Sequence, residues 1–411
     1  MKTLMSVFER VPRAAPDGLV AAVLLSFLAT AGLFYVNIMP ALIEGLMTGL
    51  SFSARQAGLV GSANVYGAAA GALLAAFLVR RLPWRPVVTA LLPVLMAIDL
   101  ASMGIGSAAV MIAVRAVHGF VGGALVGFGF AVMARTLRPE RTFGVLLIVQ
   151  FSLGGLGVMF LPHLAATHGT WVLFVTLFAF AAVTLLMTPW LAAYPPRTIT
   201  ATPGAEDALR RHASPFALVL LAVFLFQASN MLLFSFIIDL ARDFSLELEF
   251  ASGAVGAATW VGMAGSLLVI LISVRFGRML PLLSALVITA LGIWLLHFSG
   301  NKILFALANC ATGVTWAFVM PYLLGMCSEF DARGQAAAFA GFASKLGLAS
   351  GPLAGALLLG ESNYDLLIDV STAGILACMA AAIIPARLLD RGFADPAGEA
   401  MVTSEVKPLA K

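Results

Sequence analysis

Apolar positions in this chain gather into long unbroken runs, separated by short clusters of arginine, proline and glycine. Read by those interruptions, the pattern predicts twelve helices: Leu19–Leu46, Gln56–Val79, Val87–Met103, Val110–Met133, Phe143–Leu164, Trp171–Leu191, Phe216–Leu240, Gly253–Val274, Leu280–Phe298, Ile303–Met326, Ala336–Leu359 and Leu366–Ala386. Each run has about twenty residues, the length a helix needs to cross roughly 30 Å of hydrocarbon. A membrane barrel would instead show segments of about ten residues with alternating polarity. Within lipid only helices and closed barrels satisfy their own backbone groups, so the pattern points to an all-α membrane protein. Composition agrees: 61% of the 411 residues are hydrophobic and 11% charged. Soluble domains hold about 45–50% apolar and about 25% charged residues, and a soluble fold has nowhere to bury such an excess.

Charge placement tests the layout independently. If both termini are cytoplasmic, 19 of the 24 lysines and arginines fall in inner segments and three, Arg55, Arg242 and Lys302, in outer ones. That is a positive-inside bias, and an odd number of spans would scramble it. The net charge of +4 therefore reflects membrane topology rather than nucleic-acid binding. The first run follows Lys2, Arg10 and Arg13 and is too long for the core of a cleavable signal peptide, so it is read as a retained span. Cys310, Cys327 and Cys378 have no metal-ligand spacing and no legible disulfide framework; no metal or cofactor is expected.

The polar stretch after the sixth run divides the chain into a six-helix bundle (1–191), a cytoplasmic linker (192–215), a second six-helix bundle (216–389) and a cytoplasmic tail (390–411). The halves repeat. An offset of 195 superposes Glu44 on Asp239, Gly58 on Gly253, Gly61 on Gly256, Gly67 on Gly262 and Arg80 on Arg275; at 194, Arg115 meets Asn309 and Gly119 meets Gly313. Parallel six-helix repeats are the pattern of a large class of secondary transporters, with the site at the midplane between the halves.

Local motifs carry a resemblance. The segment AFLVRRLPWR after the second run, its second copy ILISVRFGRM, and RAVHGFVGGALVG in the fourth run are similar to the loop and fourth-span signatures of the major facilitator superfamily. YVNIMPALI in the first run and GLASGPLAGA in the eleventh resemble patterns of its twelve-span drug:proton antiporters. The resemblance implies two pseudo-symmetric bundles, alternating access and an ion gradient, most often of protons. It assigns Arg80, Arg81, Arg275, Gly277 and Arg278 to gating loops, but both loop copies lack the family's carboxylate, which leaves the usual gate chemistry without its acid.

Ionisable residues inside spans are costly and normally face a bundle interior or a water-filled cavity. Arg115 is read either as an anion- or proton-handling group or as half of a structural ion pair; Asp99 sits at similar depth on the preceding helix. His118 is read as a packing histidine or a proton relay. Glu44 and Asp239 are read as solvated helix ends or parts of an outer gate. Lys345 lies about 15 Å into its helix, too deep to snorkel, and needs a partner, a cavity or a bound anion. Asn37, Asn64, Tyr66, Gln150, Gln227, Asn230, Trp260, Asn309 and Trp316 complete an expected amphiphilic pocket, each alone being an ordinary interhelical hydrogen bonder. The proton-coupling candidates are Asp99, His118, Glu44 and Asp239. With Arg115 and Lys345 as the intramembrane cations, an anionic or carboxylate-bearing small organic substrate is favoured over a cation. Drug or metabolite efflux by proton antiport is the alternative, and a transporter-like receptor is a third reading. A nucleotide-cradling loop and enzyme constellations such as His-Glu-x-x-His are missing from the sequence, so no enzyme activity is expected. A monomer in the bilayer of the cytoplasmic membrane is the expected form.

Overall fold

A computed structural model describes residues 12–79, 81–137, 139–195, 213–272, 275–329, 335–359 and 363–393. Apart from short turns the described chain is helical. The second to sixth spans are Ala54–Leu78, Trp84–Ser102, Ala108–Met133, Pro139–His168 and Trp171–Met187, and the seventh to twelfth are Ala213–Asp243, Leu248–Ile272, Met279–Trp294, Lys302–Glu329, Gln335–Leu358 and Tyr364–Phe393. Among the described residues ten of these are long and apolar enough to cross a membrane. The first span is broken into Leu19–Ala31, Phe34–Asn37 and Met39–Gly49.

Local chemistry accounts for these elements. The second span opens on a capping box, in which the Ser53 hydroxyl accepts from Gln56 N at 3.2 Å and Gln56 Oε1 accepts from Ser53 N at 3.0 Å. Pro40 stands at the start of the third segment of span one. Its ring cannot donate to the carbonyl four residues back, so the helix resets at Ile38 and exposes the polar step at Asn37. The second and fourth spans pack with backbones nearly touching: a methyl at Gly119 would overlap the Asn64 carbonyl and one at Gly67 the Ala116 carbonyl. Without a hydrophobic drive between helices in lipid, such close small-residue packing supplies the association energy.

The halves are related by a two-fold pattern of neighbours. Second against fourth, first against fifth and third against sixth span recur as eighth against tenth, seventh against eleventh and ninth against twelfth. The seams joining the halves, second against eleventh and fifth against eighth, exchange under the same relation. The fold is two six-helix pseudo-symmetric bundles. We call the end holding the described terminal residues and the 81–83 turn basal, and the end holding residues 50–53 and 103–107 distal.

Candidate functional site

Between the halves lies a cavity of about 140 Å³. Its wall on the N-terminal half includes Asn37, Gln150, Phe151 and Gly154, and its wall on the C-terminal half Asn230, Phe234, Thr259, Asn309, Thr312 and Trp316. The break in span one turns Asn37 inward, where it packs on Gly154; a Cβ there would lie 3.1 Å from Asn37 Cβ. Gln150 is one turn earlier on the same helix. Phe151 and Trp316 meet edge to face at 5.8 Å across the halves. No charged residue lines the cavity among the described residues.

Hydrogen bonding on the two walls differs. Asn37 Nδ2 and Gln150 Nε2 are buried and have no hydrogen-bond partner among the described residues. Asn230 and Asn309 instead donate their side-chain nitrogens to the carbonyls of Phe226 and Phe305, each at 2.8 Å. Trp316 Nε1 donates to Gln227 Oε1 at 2.7 Å, and Gln227 Nε2 to the Ser344 hydroxyl at 2.8 Å. Gln227 is thus a strut behind the wall.

Other expected pocket residues lie elsewhere. Tyr66 and Ser350 share a hydrogen bond of 2.8 Å across the second–eleventh seam, beside a bond from Ser62 to the Ala349 carbonyl, also 2.8 Å. Trp260 donates to the Ser152 carbonyl at 3.1 Å across the fifth–eighth seam. Both rings fasten the halves together rather than facing the cavity. Lys345 is half-buried, off the cavity lining, and makes no hydrogen bond or ion pair with a described residue. It lies on the same helix face as Ala349, one turn basal of that seam.

Asn64 and Arg115 belong to a buried network inside the N-terminal half. Arg115 and Asp99 pair at 2.9 Å with side chains 0% and 1% exposed. The guanidinium also donates to the Ser102 hydroxyl and lies over the rings of Phe174 at 5.0 Å and Tyr35 at 5.9 Å. His118 Nε2 is 3.3 Å from Asp99, and Asn64 Nδ2 meets His118 Nδ1 at 2.8 Å. Because Asn64 is the donor there, Nδ1 accepts and the ring proton sits on Nε2, facing Asp99. The expected pocket role of Arg115 and Asn64 therefore gives way to an internal ion pair, which removes one of the two cations that favoured an anionic substrate.

Glu44 and Asp239 are not solvated helix ends, since they are 2% and 8% exposed. Arg242 joins them, pairing with Glu44 of the other half and with Asp239 at 3.2 Å, while the Tyr364 hydroxyl donates to Asp239. The sequence had offered Arg242 only as an outer-loop charge. At the basal end the missing loop acid is replaced from a distance. Arg278 pairs with Glu329 at 2.6 Å, and Asp390 accepts from Arg278 N at 2.7 Å and Met279 N at 2.9 Å. Gly277 makes that turn at φ +70°, where a Cβ would crowd Asp390. Arg81 and Arg275 are exposed and make no ion pair with a described residue, and Arg80 lies outside the described residues. In the N-terminal half the basal arginines use carbonyls: Arg135 donates to Tyr194 O at 3.0 Å and Arg85 to Ala192 O at 3.2 Å.

Two matched halves of membrane-spanning helices, with a largely apolar cavity between them whose described polar lining is uncharged, are the architecture of a membrane transporter. The chain belongs to the Major Facilitator Superfamily, whose sequence profile matches residues 22–352. Among solved structures it is similar to a point-mutant form of the nucleoside transporter NupG (TM-score 0.71, 14% identity, covering 89% of this chain and 98% of that chain). It is similar too to the D-xylose-proton symporter (0.67, 15%, covering 88% and 96%) and to unmutated NupG (0.68, 14%, covering 90% and 99%). No curated protein sequence matches the chain.

Proposed function

We propose that this protein moves a small organic solute across the cytoplasmic membrane by alternating access, the halves rocking about the central cavity. The observation that carries the reading is the cavity itself, which opens on a seam between two pseudo-symmetric bundles and not inside either one. Hydrogen bonds and ion pairs linking described residues of the two halves, at Glu44–Arg242, Ser62–Ala349, Tyr66–Ser350 and Trp260–Ser152, lie from the midplane to the distal end. The basal contacts of Arg278, Arg85 and Arg135 given above are to described residues of their own half. This arrangement is the basal-open state, with Glu44, Asp239, Arg242 and Tyr364 as the distal gate and Arg278, Gly277, Glu329 and Asp390 stiffening the basal turn of the second half.

The charge bias supports a cytoplasmic basal end, with the halves at 1–191 and 216–389 and the linker and tail on that side. A proton gradient is the driving force in this reading. Asp99, Arg115 and His118 form the coupling centre, because a carboxylate held by both a cation and a neutral imidazole can exchange a proton while the pair rearranges. The solved structures with this fold include transporters named for nucleosides and for D-xylose with a proton, which supports an organic solute. Lys345, one turn basal of the Ala349 contact, is assigned in this reading to the path between cavity and basal solvent.

Uptake into proteoliposomes with and without an imposed pH gradient tests the reading. Saturable flux that a proton ionophore collapses is expected. Retained solute binding without flux would replace the transporter by a receptor.

A further inference from the structure

The backbones of the two halves approach closely on the distal side of the seams. A Cβ at Gly256 would lie 2.7 Å from the Gly155 carbonyl oxygen, and one at Gly58 2.7 Å from the Pro352 carbonyl oxygen. Phe151 stands one turn basal of Gly155 on the fifth span. Its ring meets that of Trp316 on the tenth span at 5.8 Å, with the planes 79° apart. Phe151 is twelve residues from Pro139 and Trp316 thirteen from Glu329, so both rings sit about 18–20 Å from the basal helix ends. The tenth span descends toward that end, and Trp316 is its cavity-lining residue nearest to it. Between described residues, no hydrogen bond, ion pair or ring contact joins the halves basal of this level.

The two rings are held differently. Trp316 Nε1 donates to Gln227 Oε1 at 2.7 Å, and Gln227 Nε2 to the Ser344 hydroxyl at 2.8 Å. The seventh, tenth and eleventh spans, all of the C-terminal half, thereby fix the indole. Phe151 has no polar side-chain atom, and its edge-to-face contact is directional but weak. Turning the phenyl ring away breaks no hydrogen bond. At the distal end, by contrast, Glu44 and Arg242 pair across the halves. One end of the cavity opens only when the halves separate; the other needs one side chain to move.

Resting on the transporter reading, we propose that Phe151 and Trp316 form a lid between the cavity and the basal opening, Phe151 its moving leaf and Trp316 its fixed post. Gln227 is the positioning residue that holds the post. The lid opens and closes while the distal latch stays shut. Solute enters or leaves on the basal side by displacing one phenyl ring, and rocking of the halves starts from the lidded cavity.

Labelling of single cysteines tests the lid without any solute. The full-length protein carries Cys310, Cys327 and Cys378 replaced by alanine, with either Thr312→Cys in the cavity lining or Lys345→Cys off it and one turn basal of the Ala349 contact. A cationic, membrane-impermeant methanethiosulfonate reaches either thiol only through water. Lys345→Cys is expected to react about tenfold faster than Thr312→Cys, as a lid closed about nine-tenths of the time requires. Phe151→Ala should raise the Thr312→Cys rate about tenfold and leave that of Lys345→Cys within about threefold. Phe151→Tyr, which keeps a ring, should keep the slow rate, and Gln227→Leu, which releases the indole, should raise it. Thermal unfolding midpoints identify misfolded variants, and Phe151→Leu replaces the alanine variant if that one does not fold. The lid is overturned if both cysteines react alike with the rings intact, or if folded ring variants leave the Thr312→Cys rate unchanged. A Lys345→Cys rate that falls as that of Thr312→Cys rises would place the route at the distal end and overturn it too. Flux into proteoliposomes, measured separately, keeps the two readings apart: slow cavity labelling released by Phe151→Ala but no flux of any solute removes the transporter and leaves the lid, and flux without that labelling pattern does the reverse.

Discussion

The same helix pair is fastened in two ways in the two halves. In the N-terminal half the third and fourth spans are joined by Asp99 and Arg115, a fully buried ion pair extended by Ser102, His118 and Asn64. In the C-terminal half the ninth and tenth spans are joined by the Thr289 hydroxyl donating to Thr315 at 2.8 Å. The repeat sets Trp294 opposite Asp99 and Asn309 opposite Arg115, so the second half packs the same helices without charge at this place. Buried ion pairs often add little net stability over apolar packing, because desolvation consumes the Coulombic gain. The charge in the first half therefore points to work other than holding helices together, and proton exchange is the work assigned to it above.

The comparison can be broken by removing one partner at a time. Asp99→Ala strands a buried guanidinium and is expected to destabilise the protein by about 3–5 kcal/mol, the cost of an orphaned buried charge. The double variant Asp99→Leu with Arg115→Met should recover most of that loss in a denaturation series, yet carry solute without proton coupling; a double variant as unstable as the single one would make the pair structural. At the distal gate, Glu44→Gln should weaken closure by about 1.4 kcal/mol, or about tenfold in population. A cysteine placed at Tyr66 would then be labelled more slowly from the basal side, and unchanged labelling would detach Glu44 from the gate. Thr289→Ala, by contrast, should cost only about 1 kcal/mol, the worth of an ordinary interhelical hydrogen bond, and leave coupling intact.

The smallest effect concerns Tyr194, whose hydroxyl donates to the Pro16 carbonyl at 2.7 Å outside the spans. Burial, with a smaller contribution from Asp17, pushes its phenol up to about 12. A raised folded-state value favours the neutral phenol, so its stabilisation is present below the ordinary tyrosine value near 10 and fades as pH climbs through about 12. Tyr194→Phe should flatten the alkaline limb of a stability-versus-pH curve, and an identical limb would remove Tyr194 from that loss.

Much of the fold was legible because lipid imposes it. Run length gave the spans, and Glu44 over Asp239 with the paired glycines gave the two-fold repeat. The Asp99–Arg115 pair was within reach through depth along adjacent helices. What escaped were relations between helices that follow no single-chain period. Nothing in the sequence says that Arg242 reaches across to Glu44, or that Glu329 and Asp390, each over fifty residues from Arg278, replace the missing loop acid. Nor can a list of amides distinguish Gln227, which braces Trp316, from Gln150, whose side chain lines the cavity and whose nitrogen has no partner among the described residues. An offset of 195 sets Gln150, which lines the cavity, opposite Lys345, which does not.

The most direct test of two halves rocking about the cavity is to stop the rocking. With Cys310, Cys327 and Cys378 replaced by alanine, cysteines at positions 44 and 242 can be bridged by a short bis-maleimide across the distal end. Bridged protein is expected to keep solute binding from the basal side and to lose flux into proteoliposomes, which returns only in unbridged controls. Flux at the unbridged rate through bridged protein would contradict alternating access by these halves.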